Sequence, residues 1–292
     1  MWKKNKIEMI VIIINHIITI NMKIVLSNPK KVSQFACILR HLKNLSLDIE
    51  WLVDENKFYT QGMDSSHACL FELELKPDWF DIYEVEMSHS LGINCELIFK
   101  IFNCMGENQK IEISYNDTND NMCITLLPHE GEKGIERQFE LPLINLESEL
   151  LDVPETEWSA DIEMLSSEFS QLVDQLSIFG NDLRVRCNEE IILTGSGENG
   201  KMNAIIQNED ILMYAVEEDV TLDLNYSMPF VKEMASYSKL NKKVKINVSN
   251  DIPMKIQYDL DDFMDSDDVT EDDEEVVNNY IRFFLAPKIE DF

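Results

Sequence analysis

The sequence predicts an α+β chain of two homologous domains, each built from two helix-plus-hairpin units. Three observations carry that reading. Phe35, Ile38, Leu39 and Leu42 recur at i, i+3, i+4 and i+7, the spacing of one apolar helix face, and Phe169, Leu172, Val173 and Leu176 repeat the stripe 134 positions on. At the same offset Asp48-Ile49-Glu50-Trp51 is matched by Asp182-Leu183-Arg184-Val185. Each opens an alternating segment that turns near Glu55-Asn56 or Asn188-Glu189, as a β-hairpin does. A second unit follows at an offset of 133, with Leu97, Ile98 and Ile101 answered by Phe230, Val231 and Met234, and strand 110–113 by strand 243–246. Its hairpin turns fall at 116–121 and 249–253. Coincidence explains one shared stripe; four registers at nearly one offset mark a duplication.

Length and composition agree with two globular domains. The chain has 292 residues, of which 45% are apolar, enough for two cores. Six scattered cysteines (Cys37, Cys69, Cys95, Cys104, Cys123, Cys187) include no C-x-x-C pair, which favours reduced thiols over a disulfide framework or a zinc site. The five histidines form no ligand motif, and no acidic segment carries the glycine of a calcium loop. No metal or cofactor is expected. The net charge of −30 argues against strong non-specific DNA binding by a basic surface, since phosphate contacts need clustered Lys and Arg. A DNA-handling protein this acidic must segregate its charge or hold DNA by topology.

Along the chain, residues 1–21 place three lysines ahead of an apolar run that Asn15 and His16 interrupt, with no small-residue cleavage site. They read as a dispensable leader or the product of an upstream start codon rather than a targeting signal, and the run is too short and too interrupted to span a bilayer. Residues 141–158 carry two prolines and no periodicity, and read as an interdomain connector. Residues 259–275 hold eleven acidic side chains in seventeen and no basic one, and read as a disordered acidic loop.

Catalysis finds little support. Ser65, Ser66 and His67 adjoin Asp64, but a triad is assembled by the fold and sequence neighbours rarely supply its geometry. There is no G-x-x-x-x-G-K or G-x-G-x-x-G, and nine glycines leave little for a phosphate cradle. No enzyme is expected.

Two segments more than 200 residues apart carry the functional signal: Met63-Asp64-Ser65-Ser66-His67, and Leu285-Ala286-Pro287-Lys288-Ile289-Glu290-Asp291 at the C-terminus. Both resemble segments of the proliferating cell nuclear antigen family of eukaryotic sliding clamps. There the first lines a partner-docking groove, and the second is the C-terminal strand and tail beside it. The resemblance extends from Met22 to Phe292. It divides the chain into an extension (1–21), a first clamp domain (22–140), the connector (141–158), a second clamp domain (159–285) containing the acidic loop, and a tail (286–292).

The resemblance implies a processivity factor for DNA polymerase: a three-fold, pseudo-sixfold ring with helices inside and sheets outside, encircling duplex DNA. Such clamps serve replication and repair in the nucleus, or in the replication compartment of a large DNA virus. The helix faces opposite the core stripes carry Arg40 and Lys43, with Lys30 and Lys31 just before them, and Lys100 on the second helix. Lys43 and Lys100 match positions that are basic in the family and face DNA. Gln171, Asp174 and Ser236 stand where the family is basic, with Lys232 and Lys239 nearby, so the bore is expected to be less positive. The groove implied by the family takes Met63, His67 and Leu70 from the first domain and Leu151, Val153, Pro154 and Trp158 from the connector. Pro253, Phe284, Leu285, Ala286 and Pro287 complete it. Its ligand is a Gln-x-x-aliphatic-x-x-aromatic-aromatic motif, carried by polymerase, clamp loader and other partners. Edge strands near 135–140 and 201–207 should pair between subunits. Glu189 replaces the lysine that eukaryotic clamps carry for ubiquitin-type modification. A checkpoint-type or heterotrimeric clamp subunit and a monomeric clamp-like factor share the fold, and the sequence leaves them open.

Overall fold

The computed structural model describes residues 21–106, 108–117, 121–129, 131–146, 150–153, 156–198, 200–261 and 279–289. The first half runs β1 (Met22–Leu26), α1 (Pro29–His41), β2 (Asp48–Val53), β3 (Phe58–Met63), β4 (Cys69–Leu75), β5 (Ile82–Val85), β6 (His89–Asn94), α2 (Cys95–Asn103), β7 (Gln109–Tyr115), β8 (Asn121–Pro128) and β9 (Arg137–Pro142). The second half repeats that order: β10 (Ala160–Leu165), α3 (Ser166–Leu176), β11 (Asp182–Cys187), β12 (Ile191–Gly197), β13 (Gly200–Ile206), β14 (Met213–Val216), β15 (Leu222–Ser227), α4 (Met228–Ala235), β16 (Lys243–Val248), β17 (Met254–Asp259) and β18 (Tyr280–Leu285). The duplication read from four sequence registers thus extends to every strand among the described residues.

Local chemistry fixes the helix starts. The Asn28 side chain accepts from the backbone N–H groups of Lys30 (3.0 Å) and Lys31 (3.3 Å), and Pro29 occupies the first turn of α1, where its missing donor costs nothing. Asn94 caps α2 in the same way through Leu97 N–H at 3.2 Å. The stripe Phe35, Ile38, Leu39 and Leu42 is fully buried, and the Phe35 ring is ringed by Trp51, Phe58, Trp79, Phe80 and Phe102 at 5.9–6.5 Å. Burial of one such ring contributes about 1.5–3 kcal/mol. In the second half Phe169, Val173 and Leu176 are buried, while Leu172 and Phe230 pack against the core from its rim. Leu97 departs from expectation, being 38% exposed. The inward face of α2 is Cys95, Ile98, Ile101 and Phe102, and Leu97 stands about 100° around the helix from Ile98.

All strand pairings are antiparallel. Each domain contributes five strands and four strands, but they are shared unequally among three sheets. The first sheet is β5-β1-β7-β8-β9, from domain 1 alone, and the third is β13-β12-β11-β15, from domain 2 alone. The nine-stranded sheet, β14-β10-β16-β17-β18-β4-β3-β2-β6, fuses five strands of domain 2 to four of domain 1 at the β18–β4 seam. Polar contacts add to that seam. Gln34 Nε2 donates to Leu240 O at 2.7 Å, and Lys76 N–H to Asn279 Oδ1 at 2.6 Å. The helices pack in pairs, α1 with α2 and α3 with α4, and α1 also meets the 3₁₀ turn Ser236–Lys239 that follows α4.

Three sequence-based boundaries shift. Asn21 is bound to the first domain, its N–H donating to Tyr115 O at 3.1 Å and its side chain to Asp117 at 3.0 Å. Strand β9 continues to Pro142, past the expected domain end. The acidic segment does not begin as a loop: Asp259 ends β17, is buried and pairs with Lys245 at 2.8 Å, because a buried charge at a strand end is retained once a cation neutralises it. Leu260 is buried as well, and Asp261 accepts from Asn279 N–H at 3.2 Å. Residues 1–20 and 262–278 lie outside the described residues. No helix among the described residues is long and apolar enough to cross a membrane.

Candidate functional site: the helix layer and the connector groove

The basic residues singled out on the helices fall into two groups. Lys43, in the 3₁₀ turn Leu42–Asn44, lies 3.2 Å from the Phe99 ring centroid and 3.9 Å from Glu96. Lys100 reaches the same Glu96 at 3.6 Å, one helical turn away, so α1 and α2 share one carboxylate between two lysines. Lys232 on α4 pairs with Asp174 on α3 at 3.0 Å, and Lys239 is exposed at the end of the following 3₁₀ turn. The Lys100 and Lys232 pairs are exposed and therefore weak, whereas Lys43 is half-buried against the Phe99 ring. Lys31 stands over the Trp79 ring at 5.7 Å, and Lys30 is exposed at the start of α1. Arg40 is different: its Nε donates to Ala36 O at 3.0 Å, folding the side chain back along its own helix. Helix α3 (SSEFSQLVDQL) carries no basic residue.

The groove is best read through strand register. On the face of the nine-stranded sheet opposite the core, Lys255 pairs with Phe284, Phe284 with Leu70, and Leu70 with Met63. Side chains of directly opposed residues share a face, so three apolar side chains and one cation form a single row across β17, β18, β4 and β3. The adjacent row is polar: Gln257, Arg282, Glu72, Gln61 and Glu50. Arg282 donates to Glu72 at 2.6 Å and is flanked by the rings of Tyr280 and Phe284.

The connector lies over this polar row. It begins at Ile144, which bridges to Gly92 on edge strand β6; a Cβ at Gly92 would sit 2.1 Å from the Ile144 carbonyl oxygen, so only glycine admits that approach. It is then clamped by Gln61, whose amide donates to Leu151 O at 3.0 Å and accepts from Leu151 N–H at 2.8 Å. Leu151 and Val153 line a cleft with Tyr59, Glu72 and Arg282. Trp158 ends the connector with its ring 5.2 Å from Lys255 Nζ. Pro154 lies outside the described residues.

The far wall is the turn after β3. Asp64 Oδ1 accepts from the N–H groups of Ala68 (2.8 Å) and Cys69 (2.6 Å), and Oδ2 from Ser66 N–H (2.7 Å) and the Ser66 hydroxyl. Burial opposes ionisation of Asp64, but these bonds hold its pKa below the ordinary carboxylate value. Asp64 is thus committed to building the turn, and His67 closes it in the left-handed region (φ 57°) with its side chain exposed. Ala286 N–H donates to Ala68 O at 2.9 Å, seating Ala286 and Pro287 beside the turn, and Pro253 is exposed in the turn before β17. Leu285 is a correction. It is fully buried and pairs with Cys69 and Met254 on the core face, one residue out of phase with Phe284.

Met63, Leu70 and Phe284 are therefore brought into one row, with Leu151, Val153 and Trp158 on the connector side and His67, Ala286 and Pro287 on the other. Sequence reasoning missed Gln61, Lys255 and Arg282. The signal for Lys255 was present, since it alternates with core residues Met254 and Ile256 directly after Pro253. The surface offers apolar shelf and hydrogen-bonding edges, and among the described residues no group of three or more His, Cys, Asp or Glu could hold a metal ion.

Two family models match the chain. "Proliferating cell nuclear antigen, N-terminal domain" covers residues 27–150, and "Proliferating cell nuclear antigen, C-terminal domain" covers residues 152–267. Together they take in both halves of the duplication, on either side of Leu151 in the connector, and the chain belongs to the proliferating cell nuclear antigen family of DNA sliding clamps.

Proposed function

We propose that three copies of this chain close head to tail into a ring around duplex DNA, and that the ring tethers polymerase and other partners through the connector groove. One observation carries the reading. Within the chain the two domains are joined by pairing β18 with β4, and by the internal repeat β9 is the counterpart of β18 and β13 the counterpart of β4. Both β9 and β13 are open sheet edges, and unpaired edges of this kind invite a partner strand. Repeating the intrachain joint between copies pairs β9 of one with β13 of the next, a heterologous contact that must close or polymerise. Closure at three copies gives six like domains.

The role is mechanical. The ring holds DNA by topology, and the sparse lysines of α1, α2 and α4 meet phosphates loosely enough to slide. The groove receives Gln-x-x-aliphatic-x-x-aromatic-aromatic segments of polymerase, clamp loader and other partners, the aromatic pair resting on the Met63, Leu70 and Phe284 row. The chain performs no chemistry of its own and works in the nucleus or a viral replication compartment.

Retention on DNA tests this. Loaded by a clamp loader onto a nicked circular plasmid, the protein should co-elute with the DNA through gel filtration in high salt and be released when the plasmid is linearised. Equal retention on circular and linear DNA would contradict encirclement.

A further inference from the structure

The groove ends in a cation with no contacting carboxylate among the described residues. Lys243, Lys245, Lys57 and Arg282, in and beside the same sheet, each have a carboxylate within 2.9 Å: Glu163, Asp259, Glu74 and Glu72. Lys255 has none within 4.0 Å among the described residues. Its Nζ lies 5.2 Å from the centre of the Trp158 ring. The nearest acids do not contact it: Asp161 accepts from Asn247, and Asp259 from Lys245 and Gln257, so both act on Lys255 only through space. Burial lowers the pKa of Lys255 and the nearby Arg282 lowers it further, against the opposing pull of Asp161 and Asp259, so the charge is held in the sheet without a contacting carboxylate among the described residues. Yet Lys255 is directly opposite Phe284, at the end of the apolar row.

We propose that the groove selects partner peptides bearing a carboxylate, an Asp or Glu side chain placed to meet Lys255 beside Trp158 when the aromatic anchors cover Phe284 and Leu70. The inference rests on the groove reading above. It adds a specificity element on the Trp158 side. A bound peptide would strip the remaining water from Lys255, which makes a matching carboxylate favourable and a lysine there unfavourable. In a chain of net charge −30 this is a local exception, and it separates acidic-flanked partners from the general acidic repulsion of the surface.

The test uses full-length protein and fluorescent peptides carrying the Gln-x-x-Leu-x-x-Phe-Phe motif, with Asp, Asn or Lys substituted in turn at each variable position and at the residue after the aromatic pair. At one position Asp should bind about fivefold to tenfold more tightly than Asn, with Lys weaker still. In Lys255→Met the ratio of Asp to Asn affinity should shrink to within about twofold, whatever the absolute affinities, and Lys255→Arg should keep the preference. Equal affinities for Asp and Asn at every position, or a preference that survives in Lys255→Met, would overturn the proposal while leaving the groove in place. Failure of every peptide to bind wild type would remove the groove reading and this inference with it.

Discussion

His41 Nδ1, on the last turn of α1, stands 3.4 Å from Glu233 Oε1 on α4, and so ties the helix layers of the two domains together. Asn44 donates to the same carboxylate oxygen at 2.9 Å, and Ser236 Oγ lies 3.1 Å from the imidazole. Cys37, one turn back along α1, and then Glu233 raise the His41 pKa to about 9 against the opposing effect of burial.

That pKa lies above the ordinary 6.5, so the protonated ring stabilises the fold at neutral pH and its contribution fades as pH climbs through about 9. Because the side chain is about one-third exposed, solvent screening limits the effect to about 1 kcal/mol. Denaturant unfolding at pH 7 and pH 10 should show this loss in wild type and a flatter profile in His41→Gln. The buried thiols of Cys69, Cys95 and Cys187, pushed up to about 12, do not titrate in that window. Parallel profiles for the two proteins would show that the pair does not couple the domains.

The β18–β4 register predicts the contact between copies. Carried through the repeat, Phe284 opposite Leu70 becomes Glu140 opposite Lys201, and Phe283 opposite Phe71 becomes Phe139 opposite Met202. Glu140→Lys should weaken assembly by placing two lysines across the seam, and Glu140→Lys with Lys201→Glu should restore it. Sedimentation of the single and double variants reads this out. Rescue failing, with both variants folded, would mean a different register.

In the groove, Leu151→Asp puts a carboxylate where a bound aromatic pair excludes water, at a cost on the order of 3 kcal/mol, or about 100-fold in affinity. Titration calorimetry with the Phe-Phe peptide should detect binding to wild type and not to the variant. Oligomer mass should be unchanged, since Leu151 is on the connector.

On the helix layer, Lys43→Glu with Lys100→Glu would surround Glu96 with like charges and face DNA with carboxylates. Clamp-dependent DNA synthesis should fall severalfold. Folding stability should change by only about 1 kcal/mol, because both ion pairs lost run to the exposed Glu96. Normal processivity would make these lysines ordinary surface residues.

The duplication and every helix were legible in the sequence because apolar periodicity and hairpin turns are local signals. The phase of individual residues was less so. Leu285 reads as groove by its neighbourhood, but strand alternation sends it into the core and puts Phe284, itself largely buried, on the opposite face of the sheet. Leu97 reads as core by adjacency to Ile98, yet helix geometry turns it outward. Arg40 reads as a free cation until its bond to Ala36 is seen. The outward face of Lys255 was legible from its alternation with Met254 and Ile256, but its place in the site, like that of Gln61, was not, because their partners Trp158 and Leu151 lie about 90 residues or more away in sequence and only the fold brings them together.

The most direct measurement of the central claim is the solution mass of the purified chain near 1 µM by light scattering. The account predicts a single species at three times 34.0 kDa. A stable species of 34.0 kDa would contradict the ring.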